Sequence, residues 1–434
     1  MNTFLTKAST SLSGIFRVPG DKSISHRSIM LGSLAEGVTE VSGFLEAEDA
    51  LATLKAFQSM GVNIERFGEG QVRIHGVGMR GLKAPNEELY VGNSGTSMRL
   101  LAGLLAGQPF DSVLTGDASL TRRPMKRVLD PLKEMGANIG SNEKGTAPIK
   151  INGVASLSPI NYLMPMGSAQ VKSCILLAGL YAEGKTEVTE PVITRDHTEQ
   201  MLRGFGYPVE RVGNTISLEG GGKLTSTSID VPGDISSAAF LMVAASITQG
   251  SDITINHVGI NPTRTGVIDI LLAMGANISL INERVIGGEK VADIRVKSSQ
   301  LKGIDIPEEF VALAIDEFPV IFVAAACAKG KTVLTGAEEL RVKESDRIQS
   351  MAEGLGTIGV DARATADGMV INGGVIQGGV VESHDDHRIA MSFAVAGLVS
   401  QNGVQVNNCE NVNTSFPGFV ELVTGCGFNI KAKV

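Results

Sequence analysis

The hydrophobic and polar positions of the chain fall into one pattern that is written six times. Each copy opens on glycine or aspartate among polar residues, runs into an apolar stretch of small residues, and closes on a glycine. The copies span Gly20–Gly37, Gly92–Gly107, Gly167–Gly184, Gly233–Gly250, Asp316–Gly330 and Asp385–Gly403. Because each apolar stretch is hydrophobic nearly all round, it predicts a buried helix. A short alternating strand follows each one: Thr39–Ser42, Val113–Thr115, Thr186–Thr189, Ile253–Ile255, Thr332–Thr335 and Val404–Asn407.

A second, more polar helix comes next in every copy. Met125, Val128, Leu129, Leu132 and Met135 show its spacing, i, i+3, i+4, i+7 and i+10, which marks one buried face. The clearest endings are Met60-Gly61-Val62-Asn63-Ile64, Met135-Gly136-Ala137-Asn138-Ile139 and Met274-Gly275-Ala276-Asn277-Ile278; Phe205-Gly206, Ile358-Gly359 and Cys426-Gly427 complete the set. Each glycine reads as a helix C-terminal cap. Successive cap glycines stand 75, 70, 69, 84 and 68 residues apart, one supersecondary unit of βαβαββ outline per period.

The phrase Val18-Pro19-Gly20-Asp21 returns as Val231-Pro232-Gly233-Asp234, with three copies between and three after. An α/β protein of two three-repeat domains is therefore expected, 21–231 and 1–20 plus 232–434, with the active site in the cleft between them. If the three buried helices of a domain run parallel, their N-termini share one face, where amide dipoles favour anions. The first copy shows the idea locally. A strand-like approach (Ile15, Phe16, Val18) and a Pro-Gly turn place Lys22, Ser23 and Arg27 in the first turns of a helix. Cations at that end are electrostatically misplaced unless an anion joins them. The spacing is not that of a nucleotide P-loop, which needs a glycine directly before the lysine; here Asp21 stands there.

The net charge of −8 excludes a general nucleic-acid or membrane-surface binder, so the clustered basic residues must serve something local and acidic. Four cysteines, Cys174, Cys327, Cys409 and Cys426, show neither metal-ligand spacing nor a disulfide pattern, which suggests a reducing compartment. The longest apolar runs, Ala238–Ile247 and Val320–Ala328, fall short of the ~20 residues that span a bilayer. With no secretory signal in view, a cytoplasmic protein is expected.

Polar residues concentrate where helices begin. At the buried helices lie Lys22, Ser23, Arg27, Asn93, Thr96, Arg99, Ser168, Gln170, Lys172, Asp316, Glu317, His387 and Arg388; at the second helices lie Arg122, Arg123, Arg195, His197, Arg264, Lys343, Glu344 and Arg347. So many Arg and Lys against few acids point to substrates with several phosphates and carboxylates, which Arg reads bidentately. Asp316 and Glu344 stand out as carboxylates in a basic setting, which keeps them ionised and suits a base. His384-Asp385-Asp386-His387 has no second ligand pair to make a metal site, and no Gly-x-Ser-x-Gly elbow supports a serine triad.

Together the motifs Pro19-Gly20-Asp21-Lys22-Ser23, Gly92-Asn93-Ser94-Gly95-Thr96, Arg122-Arg123-Pro124-Met125, Ser168-Ala169-Gln170, Arg341-Val342-Lys343-Glu344-Ser345-Asp346-Arg347 and Asp386-His387-Arg388 resemble the EPSP synthase family of enolpyruvyl transferases. The resemblance runs over essentially the whole chain. It implies a two-domain inverted α/β barrel of six βαβαββ repeats, three per domain, whose first strand, up to about Gly20, crosses back to the C-terminal domain. It also implies transfer of the enolpyruvyl group of phosphoenolpyruvate to the 5-hydroxyl of shikimate 3-phosphate, without metal or organic cofactor, by a monomer. By matching positions, Lys22, Ser23, Arg27, Ser168, Ala169, Gln170, Arg195, Asp316 and Lys343 would hold shikimate 3-phosphate. Lys22, Asn93, Gly95, Thr96, Arg123, Gln170, Arg347 and Arg388 would hold phosphoenolpyruvate. Asp316 would take the hydroxyl proton, and Glu344 with Lys22 would move the proton on and off the methylene carbon. The family's inhibitor, glyphosate, is expected to act on this chain too.

Two departures place the chain within the family. The segment Glu410–Pro417 lacks the lysine that one branch carries there, and the Lys-Glu-Ser-Asp-Arg and Thr-Arg-Asp-His wording is similar to the class II branch. The sister UDP-N-acetylglucosamine enolpyruvyl transferases have asparagine where this chain has Ser23, and usually a cysteine in the loop that here runs Asp117–Arg123 without one. A non-enzymatic anion-binding repeat protein is the remaining alternative.

Overall fold

The repeated pattern produces twelve α-helices among the described residues, which in this computed structural model are 3–433. The expected domain ends at 1 and 434 lie outside that range. The helices are α1 (Lys22–Leu34), α2 (Glu48–Ser59), α3 (Gly95–Ala106), α4 (Lys126–Glu134), α5 (Ala169–Gly179), α6 (His197–Gly204), α7 (Ile235–Ile247), α8 (Gly266–Ala273), α9 (Phe318–Cys327), α10 (Arg347–Thr357), α11 (His387–Ala396) and α12 (Phe419–Cys426). Odd-numbered helices are the buried ones. α1 is buried from Ile24 through Leu34, polar Ser25, His26, Arg27 and Ser28 included, and the apolar α7 from Ile235 through Ser246. Even-numbered helices bury one face only; α4 does so with Val128, Leu129, Pro131 and Leu132. None is long and apolar enough to cross a membrane.

Each second helix ends on its expected glycine in the left-handed region: Gly61, Gly136, Gly206, Gly275, Gly359 and Gly427, at φ from 78° to 109°. Of the first helices, α3 is closed by its expected glycine, Gly107, and the other five end earlier than the pattern suggests. α1 stops at Leu34, and Gly37, expected to close it, lies inside the strand Ala35–Ser42 at φ 105°. Its role is set by the sheet, because a Cβ there would come within 2.4 Å of the Ser226 hydroxyl.

Contacts divide the chain into two compact units. One takes the described residues up to Pro19 and from Pro232 onward; the other is Gly20–Val231. The sheets of both repeat one plan. In the third repeat, Asn161–Leu163 runs parallel to Lys185–Thr189, which pairs antiparallel with Thr215–Glu219, which in turn pairs antiparallel with Glu210–Val212. The parallel neighbour is what a βαβ step supplies.

The strands that lead into α1 and α7 are exchanged. Ser13–Phe16, just before α1, runs parallel to Asp252–Gly259, the strand after α7. Conversely Ser228–Asp230, just before α7, runs parallel to Ala35–Ser42, the strand after α1. Although it precedes α1 in the chain, Ser13–Phe16 therefore belongs to a sheet of the other unit. Farther out, Thr3–Lys7 lies antiparallel between Val404–Asn407 and Asn429–Lys433. The exchange occurs at the two Val-Pro-Gly-Asp phrases. Val231 N–H donates to Ser42 O (2.8 Å) in one unit, while Gly233 N–H donates to His257 O (2.7 Å) and Asp234 N–H to Pro19 O (2.9 Å) in the other. Gly20 is required here, since a Cβ would sit 1.9 Å from the Gly43 carbonyl oxygen.

Inside each unit the apolar helices pack on one another: α7, α9 and α11 mutually, and α3 on both α1 and α5. Their N-terminal ends share contacts, which brings the polar residues of different repeats together.

Candidate active site

In the unit Gly20–Val231 the ends of α1, α3 and α5 meet through side chains. Asp21 caps α1, its carboxylate accepting from Ile24 N–H (2.9 Å). Arg27 is buried, and its guanidinium is held by three neutral groups: Nε donates to Thr198 Oγ1 (2.7 Å), Nη1 to Ser23 O (2.9 Å) and Nη2 to Ser173 Oγ on α5 (3.0 Å). Lys22 is ion-paired with Asp49, in the first turn of α2. Behind them His26 is fully buried, its Nδ1 facing Thr53 Oγ1 at 2.8 Å and Ser97 Oγ on α3 at 3.3 Å. Burial, reinforced by the charges of Lys22 and Arg27, holds the His26 pKa well below 6.5.

Ser94 caps α3, accepting from Ser97 N–H at 3.1 Å. Gly95 follows, and a Cβ on it would lie 2.9 Å from Arg99 Nη1 and 3.2 Å from Arg123 Nη1, so two guanidinium groups converge where this residue has no side chain. Arg99 donates to Gln170 Oε1, and Gln170 Nε2 donates to Thr96 Oγ1 (3.1 Å), joining the starts of α3 and α5. Arg123 donates to Asn93 Oδ1, while Asn93 Nδ2 donates to Asp117 (2.6 Å). Ser168 caps α5 by accepting from Val171 N–H (3.4 Å), Ala169 begins that helix, and Arg195 stands half-buried just ahead of α6. Lys172 does not join this group. It is fully buried between Glu190 (3.1 Å) and Glu199 (2.8 Å), so it belongs to the unit's interior.

In the other unit the starts of α7, α9, α10 and α11 converge. Arg347 is buried, with Nε 2.8 Å from Asp386 Oδ2, Nη1 3.3 Å from Asp316 Oδ1 and Nη2 2.7 Å from Glu344 Oε2. Asp386 also caps α11, accepting from Arg388 N–H (2.9 Å) and from Ser345 Oγ (3.0 Å). Burial pushes the Asp386 carboxyl up, but Arg347 together with His387 holds the pKa below its ordinary value. Those carboxylates in turn raise the Arg347 pKa. Lys343 Nζ lies 3.5 Å from Asp316 Oδ1 and 3.7 Å from Glu339. Arg388 Nη1 donates to Asp316 O (2.7 Å) and lies 3.3 Å from Glu317 Oε1.

The structure thus gathers the residues singled out in the sequence at the helix starts of each unit, with one change of picture. A surplus of cations was expected throughout. In the second unit Lys343, Arg347 and Arg388 instead meet Asp316, Glu317, Glu344 and Asp386. Asp386 and Asp49 are the partners that sequence reasoning passed over. Asp386 had a signal in its cap position, since Asp21 and Asp234 also cap α1 and α7. Asp49 had none beyond being an acid in a helix first turn.

A sequence profile of the family described as EPSP synthase (3-phosphoshikimate 1-carboxyvinyltransferase) matches residues 6–423. A 3-phosphoshikimate 1-carboxyvinyltransferase of Methylococcus capsulatus is 65% identical over 420 residues, 97% of this chain and 96% of that protein. The solved EPSP synthase of Acinetobacter baumannii superposes with TM-score 0.90 at 59% identity, covering 100% of both chains. An enolpyruvyl transferase of Streptomyces tendae, only 15% identical, still superposes with TM-score 0.80 over 100% of this chain and 99% of its own, which shows the shared two-domain inverted α/β fold. With a family profile matched over 6–423 and a relative 65% identical over 97% of the chain, this chain belongs to the EPSP synthase (3-phosphoshikimate 1-carboxyvinyltransferase) family.

Proposed function

We propose that this protein transfers the enolpyruvyl group of phosphoenolpyruvate to the 5-hydroxyl of shikimate 3-phosphate, giving 5-enolpyruvylshikimate 3-phosphate and phosphate. The observation that carries the chemistry is Arg347 pinned on its buried side by Asp386 while Asp316 and Glu344, which keep side-chain exposures of 16% and 24%, flank it. Two part-exposed carboxylates held beside one fixed guanidinium are positioned to exchange protons with a bound substrate.

In this scheme Asp316 takes the proton of the 5-hydroxyl as its oxygen bonds to C2 of phosphoenolpyruvate. Glu344 and Lys22 deliver a proton to the methylene carbon. In the second half the bond from C2 to the phosphate oxygen breaks, the methyl carbon returns a proton, and phosphate leaves. Shikimate 3-phosphate is held by Ser23, Arg27, Ser168, Ala169, Gln170 and Arg195 with Asp316 and Lys343. Phosphoenolpyruvate is held by Lys22, Asn93, Gly95, Thr96, Arg123, Gln170 and Arg388. Arg347 has its donors committed to carboxylates, so it acts on phosphoenolpyruvate mainly through charge. All four cysteines are free thiols, in keeping with the cytoplasmic setting we propose, and the enzyme is taken to work as a monomer. The test is phosphate release from phosphoenolpyruvate with shikimate 3-phosphate, with UDP-N-acetylglucosamine, and with neither. Release is expected with shikimate 3-phosphate alone; release with the nucleotide sugar, or with neither acceptor, would overturn the assignment.

A further inference from the structure

Glu317 is a costly residue with no part in the scheme above. Its side chain is fully buried at the N-terminal end of α9, and its Oε2 makes no hydrogen bond among the described residues. A buried carboxylate with an unmet oxygen costs stability unless charged neighbours compensate. Three neighbours gather at the other oxygen, Oε1: the hydroxyl of Ser236 at the start of α7 donates to it, Arg264 Nη2 lies 3.8 Å away and Arg388 Nη1 lies 3.3 Å away. Arg264 is itself fixed from behind, donating to Ser236 Oγ (2.6 Å) and Asp234 Oδ1 (3.2 Å). A chain of contacts thus runs from the cap of α7 through Glu317 to Arg388 at the start of α11.

Arg388 ends that chain in a particular way. Its guanidinium contacts leave through Nη1, to Asp316 O and Glu317 Oε1, whereas Nε and Nη2 make no hydrogen bond among the described residues. Arg347 is the contrast, with Nε, Nη1 and Nη2 all against carboxylates. An arginine anchored by one nitrogen keeps the remaining edge of its planar fork for a carboxylate or phosphate, and anchoring beforehand lowers the ordering cost of binding.

We propose that Glu317 is a positioning residue for Arg388, fixing one edge of the guanidinium so that the opposite edge is presented to phosphoenolpyruvate. The inference rests on Arg388 binding phosphoenolpyruvate, as set out above. Glu317 touches neither substrate, so its effect passes through geometry.

The test is steady-state kinetics of Glu317→Ala, Glu317→Asp and Glu317→Gln beside Arg388→Ala and the double variant Glu317→Ala/Arg388→Ala. Losing a hydrogen bond to a charged group should raise KM for phosphoenolpyruvate by about tenfold in Glu317→Ala, with KM for shikimate 3-phosphate within about twofold. Glu317→Asp withdraws the acceptor by one methylene and should show a smaller rise in the same parameter; it decides the matter if the alanine variant does not fold. Glu317→Gln keeps an acceptor at Oε1 and should rise least. On the Arg388→Ala background, Glu317→Ala should add no more than about twofold, because the group it positions is gone. If Arg388→Ala raises KM for phosphoenolpyruvate while no Glu317 variant does, the positioning role is overturned. If both KM values and the melting temperature shift together, Glu317 is a structural residue only and the proposal fails. If all three Glu317 variants lower KM for phosphoenolpyruvate, Glu317 acts by cancelling charge, which also overturns it. If Arg388→Ala leaves KM for phosphoenolpyruvate unchanged, the assignment of Arg388 itself falls and takes this inference with it.

Discussion

The two units use one supersecondary unit for different electrostatics. At the helix starts of Gly20–Val231, Arg27 donates to Thr198, Ser173 and the Ser23 carbonyl, Arg99 to Gln170, and Arg123 to Asn93. At those of the other unit, Arg347 lies against Asp316, Glu344 and Asp386, Lys343 against Asp316, and Arg388 beside Glu317. A hydroxyl or amide oxygen orients a guanidinium without cancelling its charge. A carboxylate both orients and cancels, and it is kept ionised in return. In these contacts, repeats that share a backbone plan set hydroxyl, amide and carbonyl oxygens against arginine in one unit and carboxylates in the other. Lys22, paired with Asp49, is a site cation of the first unit that follows the second unit's pattern.

The largest effects should come from breaking the carboxylate side of this comparison. Asp316→Ala and Glu344→Ala should each lower kcat by about 10²-fold or more, since a positioned proton-transfer group contributes 10² to 10⁴. Circular dichroism should show both variants folded. Near-normal turnover in either would remove that residue from proton transfer. By contrast Arg27→Ala, in the first unit, should act mainly on KM for shikimate 3-phosphate, by about tenfold, because it removes one charge-assisted contact from binding. Equal losses of kcat in Arg27→Ala and Asp316→Ala would erase the distinction between the units.

A smaller effect is expected where the first unit's two guanidinium groups converge. Gly95→Ala would put a methyl 2.9 Å from Arg99 Nη1 and 3.2 Å from Arg123 Nη1, and both arginines are tethered, to Gln170 and Asn93. They should give way by a few tenths of an ångström, raising KM for phosphoenolpyruvate by about threefold. Inhibition by glyphosate should weaken more than catalysis does, because a competing ligand that reaches past the backbone meets the methyl directly. Equal loss in both would show that the methyl only loosens the arginines.

How much of this was legible follows from range. The apolar helices, the amphipathic ones and the six cap glycines are local patterns, set by side chains within a few turns of each other, and they stand where the periodicity puts them. The strand exchange was not legible from periodicity, because pairing Ser13–Phe16 with Asp252–Gly259 spans more than half the chain; what pointed to it was the repeated Val-Pro-Gly-Asp phrase and the family resemblance. Gly37 was misplaced for a similar reason: what requires it is Ser226, from a distant segment. At the site, residue types at helix starts identified who is present. Who faces whom depended on tertiary packing, so Arg347 looked like a binding group in the sequence and is a buried hub for carboxylates in the fold.

The comparison also separates the two units by pH. His26 in the first unit is held neutral by burial and by Lys22 and Arg27, while an unfolded chain takes up a proton on this residue near pH 6.5. A depressed histidine pKa means that the unfolded state binds more protons below pH 6.5, so stability is complete above that value and declines as pH falls toward the folded pKa, with a slope approaching about 1.4 kcal/mol per pH unit. Asp386 in the second unit is depressed below 3.8, so its contribution is retained above about pH 4 and is lost only as pH falls further. Urea unfolding at pH 7.5, 6.5 and 5.5 should therefore show a loss of stability in which His26 takes part and Asp386 does not. His26→Gln, which cannot titrate and can still hydrogen-bond to Thr53, should flatten that dependence while leaving turnover at pH 7.5 nearly unchanged. A variant whose stability still falls as steeply between pH 6.5 and 5.5 would show that some other group carries the acid sensitivity of the first unit.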